Sequence, residues 1–100
     1  MNDTTTQVDI VGDLNIFNVA ELRQRLLDAL AAAGEVEVDL SQVVDIDSAG
    51  LQLMLSAKRE AKLRYKTLRL VGHSPAVFEL IELYDLSTAL GDPLLISSRT

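Results

Sequence analysis

The sequence predicts an α/β fold, a mixed, mostly parallel sheet of four to five strands with helices mainly on one face. Three observations lead there. Helix-like and strand-like patterns alternate from residue 19 onward, and such alternation calls for crossovers between parallel strands. The segment Glu35 to Leu40 alternates acid and apolar residue by residue, whereas a strand buried on both faces would read as continuous Val, Ile and Leu. One hundred residues with 48% hydrophobic content can bury one core. Residues 1–100 are therefore read as a single domain, with ends at about 1–5 and 97–100 expected to fray.

The elements follow in order. Gln7-Val8-Asp9-Ile10 alternates polar and apolar, Gly12-Asp13 follows, and Leu14-Asn15-Ile16 alternates again, which reads as a β-hairpin. Asn18 offers an N-cap, with Glu21 three residues on to complete a capping box. Val19, Leu22, Leu26, Ala29, Leu30 and Ala33 share one helical face, and Gly34 suits the left-handed position that closes such a helix. The next strand spans Glu35 to Leu40. A short linker then leads to a helix with a strong pattern over Leu51 to Leu63. Leu68 to Val71 reads as another strand, with a turn at Gly72-His73. Ser74-Pro75 is a cap followed by proline at the first helical position, and Val77, Leu80, Ile81 and Tyr84 form the buried face of the last helix. Leu94 to Ile96 can add an edge strand.

Composition excludes several functions. Without cysteine there are no disulfides, thiolate metal sites or cysteine nucleophiles. A net charge of −6 argues against nucleic acid as the partner. No apolar run approaches the ~20 residues that insert in a bilayer. Met1 to Thr6 lacks the basic and apolar regions of a signal peptide, so a cytoplasmic protein is expected. Five of the nine basic residues fall between Lys58 and Lys66, which reads as the cationic end of a helix or as a docking patch for an acidic partner.

No catalytic constellation can be assembled, and a non-enzyme without cofactor is expected. His73 is the only histidine. Asp45 and Asp47 are too few oxygen ligands for a hard cation. Gly50 stands without the glycine-rich run and lysine of a phosphate loop. What remains is Asp45-Ile46-Asp47-Ser48-Ala49-Gly50, where a serine hydroxyl sits at a helix start behind two aspartates. The plain reading of Ser48 is an N-cap. The functional reading is an addressable hydroxyl, left open by the small Ala49 and Gly50. Glycine in a first helical turn weakens the helix, which suggests close approach of something to its backbone. Gln52 and Leu53 are expected to extend a partner-binding surface formed by Asp45, Asp47, Ser48, Ala49 and Gly50, while Leu51, Met54 and Leu55 pack inward.

These residues resemble the STAS family, the sulfate-transporter and anti-sigma-factor-antagonist domains. The resemblance rests on Val38-Asp39-Leu40-Ser41 leading through Val43 and Asp45 to Asp47-Ser48-Ala49-Gly50-Leu51, and extends from about Gln7 to Leu90. The chain departs from it at Asp85-Leu86, where many relatives carry Gly-Leu. The resemblance implies a STAS-like sheet and a regulatory binding role without catalysis. In the antagonist branch, the serine matching Ser48 is phosphorylated by a cognate serine kinase of the GHKL type, and the dephosphorylated protein binds that kinase or anti-sigma factor. Phosphorylation releases the partner, and a serine phosphatase resets the switch. The alternative branch is an accessory subunit of a lipid-transport ABC system, bound to its ATPase subunit. That branch tends to carry threonine at the matching position, so Ser48 leans toward the phosphorylation switch.

Overall fold

The computed structural model describes residues 4–83. Their elements are β1 (Thr5–Leu14), α1 (Val19–Ala32), β2 (Glu35–Ile46), α2 (Ser48–Leu63), β3 (Thr67–Val71) and α3 (Pro75–Leu83). The three strands pair in parallel in the order β1-β2-β3. The expected strand at Leu94 to Ile96 and the packing of Tyr84 lie outside the described residues.

Period-two alternation makes the sheet one-sided. Val8 and Ile10, Val36 and Val38, and Leu68 and Leu70 are buried, and the side chains between them meet solvent. On the wet face Arg69 answers the acids of β2, with its Nε 2.9 Å from Glu35 and an Nη 2.8 Å from Glu37. The buried stripes of all three helices join the strand residues in one core, so the helices cover the apolar face. Leu22, Leu26, Ala29 and Leu30 come from α1, Leu51, Met54 and Ala57 from α2, and Val77 and Ile81 from α3.

The expected hairpin is instead one continuous strand. Gly12 does not turn the chain back; at φ +90° it carries the backbone through an irregularity in the β1–β2 ladder. The register shifts twice, between Asp9 and Val11 and between Gly12 and Asp13, and β2 uses 12 residues where β1 uses 10. Such bulges break the two-residue period. Val44 and Asp45 are consecutively exposed as a result, and Ser41 to Ile46 reads as linker in sequence although it is strand.

The helix ends also depart from local expectation. Asn18 makes no side-chain cap on α1. Its Oδ1 accepts the Asn15 N–H at 2.9 Å and its Nδ2 donates to the Asp13 carbonyl, while Asn15 Oδ1 accepts the Phe17 N–H at 2.9 Å. These bonds shape the β1–α1 loop in place of the capping box. Gly34 is not left-handed, because Ala33 ends α1 in an extended conformation (φ −134°, ψ 158°) and feeds straight into β2. The α3 start agrees with the sequence: Ser74 Oγ accepts the Val77 N–H at 3.3 Å, ahead of Pro75. His73, placed by the sequence in a turn, is 1% exposed, folded under as the chain turns at Gly72 (φ +64°).

Candidate functional site

The parallel register brings Leu14, the last residue of β1, beside Ile46, the last of β2. The β1–α1 loop and the start of α2 therefore emerge together at the carboxyl edge of the sheet, where open α/β folds tend to place their sites.

Asp47 ties the two together. Its backbone N–H donates to the Leu14 carbonyl at 3.3 Å, and its own carbonyl accepts the Leu51 N–H at 3.1 Å. Its Oδ1 accepts the Gly50 N–H at 3.0 Å, which caps α2. Its Oδ2 accepts the Ile16 N–H at 3.2 Å, across 31 positions of sequence. The Gly50 amide, chiefly, with those of Ile16 and Ala49, holds this carboxyl below its ordinary value of 3.8, against the opposing effect of desolvation. Folding thus favours the carboxylate. The stabilisation is complete above the ordinary carboxylate range and is lost as pH falls through the depressed native value. Asp47→Ala should lower Tm by about 4–8 °C at neutral pH, the shift that loss of a helix cap produces in a domain this size. Thermal melts at neutral pH and near pH ~3 check the sign, since the gap from wild type should narrow on acidification.

The cap is therefore Asp47 and not Ser48. Ser48 is the first residue of α2 and is exposed. Gly50 is buried, and the close approach anticipated from its glycine comes from within the chain. A Cβ there would lie 2.3 Å from the Leu14 carbonyl oxygen and 2.8 Å from Leu14 Cγ. Gly50 serves the fit of α2 onto β1 and does not offer a side-chain position to a partner. Leu53 is likewise corrected: at 3% exposed it belongs to the core, because the apolar face of α2 is wide enough to include it where α2 meets α1. Gln52 is exposed, Ala49 is half-buried, and Leu55 packs only partly against the core.

Asp45 is exposed, its Oδ1 accepting the Ile46 N–H at 3.1 Å. It borders an open groove of about 520 Å³ between the end of β2 and α3, with Ile46, Ala76, Leu80 and Leu83 as apolar lining and Glu79 and Glu82 as further acids. Asp45 and Asp47 thus face different surroundings, and among the described residues no three acidic, histidine or cysteine side chains gather as metal ligands.

Sequence reading missed Ile16 and Phe17. They are 61% and 93% exposed on the β1–α1 loop, and the Asp47 carboxylate fastens that loop beside the start of α2. Two adjacent apolar residues between Asn15 and Asn18 were a signal that they do not belong to an alternating strand.

Comparison with known proteins agrees with this architecture. Residues 1–96 match the profile of the family described as "Mlab, STAS domain". The chain belongs to the STAS domain family. An anti-sigma-B factor antagonist of Bacillus subtilis (strain 168) is 27% identical over 99 residues, covering 99% of this chain and 87% of that protein. Among solved structures, the anti-sigma factor antagonist SpoIIAA in its unphosphorylated form superposes with a TM-score of 0.71 at 21% identity, over 93% of this chain and 82% of that one. The Bacillus cell fate determinant SpoIIAA in its phosphorylated form gives 0.66 at 21% identity, over 89% and 82%. No helix among the described residues is long and apolar enough to cross a membrane.

Proposed function

We propose that this protein is a bacterial regulatory binding module of the anti-sigma-factor-antagonist type, switched between partners by phosphorylation of Ser48. The observation that carries the reading is an exposed hydroxyl on the first residue of α2, freed from capping duty by Asp47. The partner is a serine kinase of the GHKL type acting as anti-sigma factor, and a serine phosphatase restores the free hydroxyl. The binding surface is Asp45, Asp47, Ser48, Ala49 and Gln52, joined by Ile16 and Phe17. Exposed aromatic side chains are the usual energetic anchors of protein interfaces.

The geometry supports a specific effect of modification. A phosphate adds about −1.5 to −2 charge near neutral pH. At most helix starts the free amides would welcome it. Here the Gly50 amide is already given to the Asp47 carboxylate, as is that of Ile16. The phosphate would therefore stand next in sequence to a carboxylate that already holds one of those amides. Repulsion acts on the carboxylate that fastens the Ile16–Phe17 loop to the start of α2, so the change reaches beyond the modified residue.

The direct test is intact mass after incubation with ATP and a candidate anti-sigma kinase. One added phosphate on wild type and none on Ser48→Ala is expected. No phosphate on wild type, with tight binding to a transport ATPase subunit instead, would move the protein to the accessory-subunit branch. Phe17→Ala should weaken kinase binding by at least about tenfold, a loss of roughly 1.4 kcal/mol, measured by calorimetric titration. Its Tm should stay at the wild-type value, since the side chain is 93% exposed.

A further inference from the structure

The structure assigns a second interaction surface, the groove between α1 and α2, to an acidic amphipathic helix of another protein. Its floor is apolar and buried, made by Leu26, Leu30 and Leu53. Its walls carry Arg23 from α1 and Arg59, Glu60 and Leu63 from α2, and Leu63 is 69% exposed. The volume is about 180 Å³. That is below the ~300–1,000 Å³ of a small-molecule pocket. It is close to the ~150 Å³ that takes one benzene-sized group, so it suits one or two side chains of a protein ridge.

Charge decides what kind of ridge. The chain carries −6 overall, yet this groove is lined by two arginines and a single acid, Glu60, which is already paired with Arg64. The other basic side chains among the described residues have tasks in the fold. Arg25 donates to the Asp9 carbonyl, Lys58 to the Leu68 carbonyl and Lys66 to the Leu30 carbonyl. Arg64 pairs with Glu60, and Arg69 with Glu35 and Glu37. Arg23, Arg59 and Lys62 are exposed and hold no carboxylate among the described residues. Two of them rim the groove, and Lys62 stands beside Leu63 on the same helical turn. Lys62 also complements the negative end of α2, but Arg59 lies a turn too early for that role. An apolar slot edged by unpaired cations fits a helix with leucine-like residues on one face and carboxylates along its flanks. At 1.5 Å per residue, Arg59 is ~17 Å along α2 from Ser48, so both surfaces can be occupied together.

The test uses a fluorescent synthetic helix of roughly 18 residues, about five turns, with leucines on one face and glutamates on its flanks. A second peptide carries lysine for every glutamate. Titrated against the full chain by anisotropy, the acidic peptide should bind at least about tenfold more tightly than the basic one. Its affinity should fall as salt rises from about 50 mM to about 500 mM. Arg23→Glu with Arg59→Glu should weaken binding at least about tenfold, and Lys62→Glu alone should weaken it less, all at exposed positions that leave Tm unchanged. Amide shifts should cluster at Arg23, Leu27, Arg59 and Leu63, and Ser48→Asp should leave the affinity as it was. Equal affinity for the two peptides, indifference to the double charge reversal, or shifts centred on Phe17 and Ser48 would each overturn the assignment. So would a dimer of the free chain that the double reversal dissociates, because the groove would then belong to a second copy.

Discussion

Replacing Gly50 with alanine is expected to lower the melting temperature by more than about 10 °C. The new methyl would sit 2.3 Å from the Leu14 carbonyl oxygen, far inside van der Waals contact, with Leu14 Cγ at 2.8 Å and Ile46 Cγ1 at 3.0 Å. The first of these is backbone, and the same oxygen accepts the Asp47 N–H, so it cannot rotate away as a side chain would. The start of α2 must lift off the ends of β1 and β2. The upper end of the overpacking range is ~3 kcal/mol, and each kcal/mol moves Tm by about 4–8 °C in a domain of this size. Helix propensity alone predicts the opposite, since alanine exceeds glycine by ~1 kcal/mol inside a helix. The sign of the shift, read by thermal melting, therefore separates the two effects. A Tm equal to or above wild type would mean that α2 does not press on Leu14.

Ser48→Asp is expected to weaken binding to the proposed kinase partner by about 10²- to 10³-fold, equivalent to roughly 3–4 kcal/mol. A partner that accepts a bare hydroxyl would have to bury a new carboxylate beside that of Asp47. Burying an unpaired charge is among the costliest changes at an interface. The fold should tolerate the substitution, because Ser48 is exposed and makes no cap bond. Ser48→Ala sharpens the point. Were this serine the N-cap, its loss would cost ~1 kcal/mol and about 4–8 °C. With Asp47 in that role, Ser48→Ala should melt within a degree or two of wild type and bind the partner undiminished. Equal partner affinity for wild type and Ser48→Asp, measured by titration, would remove the phosphorylation switch.

Much of the fold was legible because its signals are local. The apolar spacing of α1 named its buried face, the Ser74-Pro75 pair marked the start of α3, and the alternation of Glu35 to Leu40 announced a one-sided sheet. The failures cluster where two distant segments negotiate one geometry. Gly12-Asp13 has the composition of a turn, but pairing with a longer β2 makes it part of a bulged ladder. Asn18 and Glu21 spell a capping box, but closure of the Asn15–Asn18 loop claims the Asn18 side chain first. Leu53 falls at the edge of the apolar stripe on a helical wheel, and only the presence of α1 beside α2 buries it.

The candidate site divides along the same line. The amino-acid order by itself determined that a serine would stand at the head of a helix after a strand, flanked by aspartates and followed by small residues, and with it the family resemblance. Tertiary structure decided which neighbour caps that helix, why the third helical position must lack a side chain, and that the loop carrying Ile16 and Phe17 is fastened beside the start of α2. Those outcomes depend on Asp47 and Gly50 meeting Ile16 and Leu14 across more than thirty residues of chain. Period and propensity report what a segment prefers within a few positions; the partner of a carboxylate or of a bare Cα is chosen only when the strands align.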